Sequence, residues 1–208
     1  MSYDERLRRI ELLEDEILRK ASGLMQDGRG VHYSDLFVLG ATKRVLSLAS
    51  GFRTLMTARN FTCCAGLLRM QVDTAARIYG LTLVDDMDAL CEAVLSGARF
   101  DKQKDREGQP LKDSRLVSKL GEQFPWVPNV YKETSGFVHL SERHLFSSIA
   151  KTDSANRTVH FSISAEDPKR DDEAYFEILD AFFEATKMAG TIILGYITSK
   201  SLAEAGRG

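Results

Sequence analysis

The chain has 208 residues, of which 43% are hydrophobic and 28% are charged, so it is long enough for one globular domain with a substantial core. A net charge of −2 excludes a strong overall attraction to nucleic acid. The longest late apolar stretch, residues 188–197, is far shorter than the ~20 residues that a membrane span requires. Three cysteines without zinc-ligand or CxxC spacing are typical of reduced thiols. These features predict a soluble, cytoplasmic protein that makes no membrane contact.

Residues 1–30 are expected to form an N-terminal amphipathic helix that ends at Gly28 and Gly30. Its apolar residues recur at heptad-like spacing on one side, as Leu7, Ile10, Leu13, Ile17, Ala21 and Leu24. A narrow seam of this kind packs either within its own bundle or against a second chain. Both interpretations are open at this point.

Residues 34–140 are predicted to form the helical core. A second helix runs from Ser34 to about Ala58, and a short turn joins it to a helix over 60–84. Because short connections favour antiparallel neighbours, these two helices should form a hairpin of helices.

The helix over 60–84 is apolar on nearly every side, which indicates a central position. It nevertheless carries Arg69, Asp73 and Arg77, which are four residues apart and therefore share one stripe. Asp73 is expected to bridge both arginines, because an unpaired buried charge is strongly destabilising. The triad is either an ion-pair ladder on a wet edge of the helix or part of a polar pocket.

A polar stretch at 101–113 is predicted to be a mobile loop, and a later helix leads into the segment YKETSGFVHLSERHLF at 131–146. Lys132 and His139 lie on one helical stripe of this segment. Further polar side chains follow at once, namely Ser141, Arg143 and His144. His139 is either a hydrogen-bonded core residue or a site residue.

Period-two alternation of Val159, Phe161 and Ile163 predicts a β-hairpin over 145–164. An isolated two-stranded hairpin is marginally stable, so its apolar face should lie on the helices or on a second copy of the chain. A final helix is predicted over 171–204. Some thirty residues of helix measure about 45 Å, which favours a kink near Gly190 or Gly195 or burial against a partner subunit. The predicted fold is mainly α: a single-domain antiparallel helical bundle with one hairpin before a long C-terminal helix.

Sequence motifs for common cofactors and metals are missing. The chain has no GxGxxG, GxxxxGK, HExxH or GxSxG sequence and no EF-hand loop. Its four histidines have no helical spacing suited to a shared metal ion. No cofactor and no metal site are therefore predicted.

The succession of a helix bearing LLRMQVDTAARIYGL, the segment YKETSGFVHLSERHLF, a hairpin and a closing helix resembles a group of bacterial helical proteins distantly similar to the HEPN superfamily. The resemblance covers about Ser34–Ile197. It implies a dimer and, as in many members, a metal-independent ribonuclease of a toxin or defence type. The catalytic motif of those members is an arginine and a histidine separated by four to six residues.

This chain matches that motif only in part. His139 takes the position of the histidine, but Lys132 stands seven residues before it, and no arginine precedes a histidine at the required interval. Lysine keeps the positive charge but lacks the planar, bidentate contact of arginine with phosphate. In the implied mechanism His139 is a general acid or base at a ribose 2′-hydroxyl, while Lys132, Arg143 or Arg69 stabilises the phosphate charge.

Three functions follow as hypotheses. The favoured one is a non-enzymatic module that forms a homodimer or binds a protein partner, with the polar cluster as internal support. The second is a HEPN-like ribonuclease or RNA-binding protein, although the net charge does not favour RNA. The third is a binder of a small anionic ligand held by Arg69 and Arg77, with Ser141 and His144 as further polar groups. All three assume that Asp73 and His139 meet in a shielded site.

Overall fold

The computed structural model describes residues 1–25, 31–168 and 170–205. The fold is mainly α, with 72% helix and a two-stranded antiparallel hairpin before the long C-terminal helix, so the predicted fold class is confirmed. The α-helices are α1 (Tyr3–Met25), α2 (Tyr33–Thr57), α3 (Phe61–Gly80), α4 (Met87–Leu95), α5 (Asp113–Gln123), α6 (Val127–Val138), α7 (Glu142–Ser147) and α8 (Asp172–Ala205). The strands are β1 (Ile149–Asp153) and β2 (Thr158–Phe161), and two 3₁₀ turns span Leu81–Leu83 and Phe100–Lys102. The predicted end of α1, Gly28 and Gly30, lies outside the described residues.

Helix α3 is the centre of the bundle, as predicted. Its N-terminus is capped by Asn60, whose Oδ1 accepts a hydrogen bond from the Cys63 N–H at 3.0 Å. It packs against α2, α5, α6 and α8. Residues around most of its circumference are buried: Cys64, Ala65, Leu68, Gln71, Val72, Thr74, Ala75, Ala76, Ile78 and Gly80. A helix that is apolar on nearly every side can only be stable when neighbours cover it in this way.

Helix α8 runs in the same direction as α1. Arg6 Nε lies 3.1 Å from Asp180 Oδ2 near the start of both helices, and Gly190 faces Ile17 further along. A Cβ on Gly190 would lie 2.7 Å from Ile17 Cδ1, so this glycine allows a close approach between the two helices. The apolar seam of α1 is thus covered within the chain, where Ile10 and Ile17 are buried.

The polar stretch at 101–113 is folded around a buried carboxylate, so the prediction of a mobile loop is not supported. Asp105 accepts hydrogen bonds from the backbone N–H groups of Glu107 and Gln109, each at 2.9 Å, and from Arg115 Nε at 2.5 Å. Burial alone would raise the pKa of Asp105, but these donors outweigh it and the pKa lies below its ordinary value. One buried carboxylate therefore organises a stretch whose other polar side chains are mostly exposed.

The hairpin differs from its prediction in two respects. Residues 145–147, expected to be extended, belong to α7, and β1 begins only at Ile149. The expectation that the hairpin's apolar face lies on the helices is also wrong, because Val159, Phe161 and Ile163 are 47%, 63% and 91% exposed.

None of the helices in the described ranges combines the length and apolar content needed to cross a membrane.

Candidate functional site

The polar cluster of α3 is centred on a half-buried ion pair. Arg69 Nη1 lies 2.8 Å from Asp73 Oδ2, with the two side chains 12% and 27% exposed. The Arg69 guanidinium also lies over the ring of Tyr131, with Cζ 3.3 Å from the ring centroid. Because Tyr131 belongs to α6, the cluster attaches α6 to the central helix.

Burial dominates the electrostatics of this pair. It raises the pKa of Asp73 above its ordinary value, against the opposing effect of Arg69. Burial likewise raises the pKa of Tyr131. Among the described residues, Arg69 Nε has no hydrogen-bond partner. The guanidinium donates through Nη1 to Asp73 Oδ2 instead.

Arg77 does not share Asp73 with Arg69, contrary to the prediction of a bridging carboxylate. Arg77 Nη2 instead lies 3.1 Å from Asp113 Oδ1 at the start of α5, and both side chains are about two-fifths exposed, at 41% and 43%. The packing of α5 on α3 supplies this nearer partner. Both guanidinium groups are therefore paired with carboxylates of the chain itself.

His139 lies away from the polar cluster, so the expected meeting with Asp73 does not occur. It is the exposed C-cap of α6, with extended backbone. Helix α6 is antiparallel to α3: Tyr131 covers Arg69, while the Phe137 carbonyl lies near Gly66 at the other end. At about 1.5 Å per residue, His139 is about 12 Å along the helix from Tyr131.

The remaining predicted site residues lie near this same end of α6 or on its exposed face. Lys132 is exposed, and the side chain of Arg143, in α7, lies outside the described part of the structure. Ser141 Oγ donates to the Gly136 carbonyl at 2.8 Å, and the Ser141 N–H donates to His144 Nδ1 at 3.3 Å. Ser141 and His144 thus fix the corner between α6 and α7.

The three cysteines are free thiols. Cys64 and Cys91 are buried, and burial raises the pKa of each to about 12, so both are unreactive at neutral pH. Within 1–25, 31–168 and 170–205, no group of three or more histidine, cysteine, aspartate or glutamate side chains is arranged to hold a metal ion.

Comparisons with family models, curated proteins and solved structures all find nothing similar to this chain. Its function must therefore be inferred from its own surface and chemistry.

The most unusual surface feature is a run of exposed hydrophobic side chains in residues 138–163, which we term the apolar segment. It includes the end of α6, α7 and the hairpin. The exposed fractions are 47% for Val138, 86% for Leu140, 62% for Leu145, 69% for Phe146, 47% for Val159, 63% for Phe161 and 91% for Ile163. Concentrated exposure of large apolar groups marks an interaction surface. The period-two alternation in the sequence indicated the apolar side chains of the hairpin. It did not indicate those of α7, because a helix of six residues is too short for its period to be recognised.

Proposed function

We propose that this chain is a non-enzymatic helical module that binds a protein partner through the apolar segment. The observation that carries the proposal is the exposure of seven large hydrophobic side chains within that one stretch. The Arg69–Asp73 pair then serves as internal support, because its guanidinium and carboxylate bind each other and the guanidinium packs on Tyr131 of α6. The pairing of Arg77 with Asp113 gives this guanidinium a carboxylate partner within the chain as well.

A protein partner fits this surface better than a bilayer or a nucleic acid. The hairpin is a two-stranded sheet, so each strand has an outer edge of backbone groups that β1 and β2 do not satisfy between themselves. Hydrocarbon cannot hydrogen-bond such an edge, whereas another polypeptide can. Charges along the segment are of both signs, as with Lys151 and Asp153, which does not favour a polyanion.

Polar substitution of the apolar segment tests the proposal. We expect Leu145→Ser with Phe146→Ser to abolish binding of protein to the immobilised chain while the melting temperature stays within about 2 °C, because both side chains are exposed. Wild type and variant are compared for retention of the purified chain and of host proteins.

A matched control is available on α1. Leu12 and Leu18 are 52% and 53% exposed, and Leu12→Ser with Leu18→Ser removes comparable apolar groups elsewhere. The control should bind as the wild type does. Equal binding by all three proteins would contradict the proposal.

A HEPN-like ribonuclease is the second candidate, and the exposure of both Lys132 and His139 favours it. Lys132 stands where the motif has arginine and lacks the planar, bidentate contact of arginine with phosphate, which weighs against cleavage.

We expect His139→Ala to change the melting temperature by less than about 1 °C, since the side chain is exposed. We also expect neither wild type nor variant to cleave labelled single-stranded RNA. Cleavage by the wild type that His139→Ala abolishes would establish the ribonuclease instead.

A further inference from the structure

We infer that binding through the apolar segment is controlled by pH, with His144 as the switch: its neutral imidazole fixes α7, and protonation releases α7 and the partner bound there. This inference rests on the proposed function and adds a regulation of that same surface. Three of the chain's four histidines, His139, His144 and His160, lie in the apolar segment. Histidine is the side chain whose ordinary titration falls between about pH 5 and 8.

His144 closes the first turn of α7 through an acceptor that a proton would remove. The Ser141 carbonyl accepts a hydrogen bond from the His144 N–H at 3.1 Å, so Ser141 is the residue that begins this turn. The Ser141 N–H in turn donates to His144 Nδ1 at 3.3 Å. In the common form of this arrangement, a glutamate or glutamine at the third helical position accepts from the backbone of the capping residue. Nδ1 can take that role only while it carries no proton.

Protonation converts this acceptor into a donor. The Ser141 N–H and the Nδ1–H of the charged imidazole would then face each other, so the imidazole has to turn away from the backbone. Helix α7 has only six residues, and a helix of that length is not stable without its end contacts and its packing. Because the folded corner between α6 and α7 binds the neutral imidazole in preference to the charged one, acidification favours its opening.

The neighbours of His144 do not favour either charge state. Helix α7 packs on α6 and β1, and the Phe137 ring of α6 lies 6.3 Å from the imidazole between centroids, at an angle of 75°. Besides His139 at the end of α6, the charged residues of these three elements comprise three of each sign: Lys132, Glu133, Glu142, Arg143, Lys151 and Asp153. The hydrogen bond from Ser141 therefore decides which form of the imidazole the corner binds.

Opening of this corner would move the apolar side chains on which binding depends. Leu145 and Phe146 follow His144 directly and are 62% and 69% exposed. The Ser162 N–H donates to the Ser148 carbonyl at 2.8 Å, so the end of α7 lies beside the hairpin. Loss of the α7 turn separates Leu145 and Phe146 from the apolar side chains of the hairpin, and a partner that contacts both is released.

Nuclear magnetic resonance of the full chain tests the switch without a partner. We expect the Ser141 amide resonance and the ¹³Cα shifts of residues 142–147 to change together between about pH 7.5 and 5.5, as α7 loses helix. His144→Gln keeps an acceptor at this position and cannot take up the proton, so its ¹³Cα shifts should be helical at both pH values. Helical shifts in the wild type at both pH values would overturn the switch.

Retention of protein by the immobilised chain is the second measurement. We expect the wild type to retain roughly fivefold less host protein at about pH 5.5 than at about pH 7.5, as for the loss of one helix cap, whereas His144→Gln should retain the same amount at both. The matched control, His139→Gln with His160→Gln, keeps His144 and should respond to pH as the wild type does.

The outcomes separate the switch from the proposed function. A control that binds equally at both pH values, or His144→Gln that loses binding on acidification, would place the pH response elsewhere and overturn the switch. Equal binding by the wild type at both pH values, with binding still lost in Leu145→Ser with Phe146→Ser, would overturn the switch alone. Equal binding by the wild type and that double variant at about pH 7.5 would contradict the proposed function and its regulation together.

Discussion

Replacing Phe182 with alanine is expected to lower the free energy of unfolding by about 3–5 kcal/mol. Its ring stacks on that of Phe52, with centroids 3.7 Å apart and planes inclined at 13°, and both side chains are fully buried. These two rings join α2 to α8. Truncation would leave a cavity that neighbouring helices cannot close without moving, so the loss includes both buried area and ring contact. Urea denaturation monitored by circular dichroism measures the change.

Phe183 is the matched control for this prediction. It is next in sequence but only partly buried, and the Arg9 guanidinium lies 4.0 Å from its ring centroid at the surface. Phe183→Ala should therefore lower the free energy of unfolding by about 1 kcal/mol. Similar losses for Phe182→Ala and Phe183→Ala would mean that α8 presents a different face to the core.

The second large effect is expected at the centre of the polar cluster. Asp73→Ala should lower the free energy of unfolding by about 2 kcal/mol, because it leaves the half-buried Arg69 guanidinium without its hydrogen-bond acceptor. Asp73→Asn should cost less than Asp73→Ala, since its amide oxygen can still accept from Arg69, but the Arg69 guanidinium loses its counter-charge. Chemical denaturation of both variants separates the hydrogen bond from the charge.

A surface pair of the same kind provides the control. Asp113→Ala breaks the exposed pair with Arg77 and should change the free energy of unfolding by no more than about 0.5 kcal/mol. If Asp73→Ala is as mild as Asp113→Ala, the Arg69–Asp73 pair does not support the fold.

The pH dependence of the same variants has a definite sign. Burial raises the pKa of Asp73, so the folded chain binds this proton more tightly than the unfolded chain does. The stability linked to this proton is fully present below the unfolded pKa of Asp73 and is lost as the pH rises through its folded pKa. The wild type should therefore gain stability relative to Asp73→Asn on acidification.

The helices were predictable because local pattern determines them. The apolar circumference of α3 and the three-residue turn before it are sufficient to place a central helix beside α2. The partner of Arg77 was not predictable, since Asp113 comes from another helix and the pair forms only when α5 packs on α3. The burial of Asp105 was not predictable either. Its donors are backbone N–H groups, which leave no mark in the sequence, so the stretch looks like a solvated loop.

The predicted meeting of His139 with Asp73 does not occur, for a geometric reason. Helical spacing places Lys132 and His139 on one stripe, but it does not reveal which part of α6 lies against Arg69. The structure assigns that contact to Tyr131 and leaves His139 at the exposed end of the helix. The apolar segment was predicted only in part. The alternation in β2 indicates an apolar face, but it does not indicate what that face contacts.

Binding of protein to the immobilised wild type and to Leu145→Ser with Phe146→Ser tests the role of the apolar segment most directly. The variant should lose binding while its melting temperature stays within about 2 °C of the wild type. Equal binding by both proteins would contradict an interaction through the apolar segment.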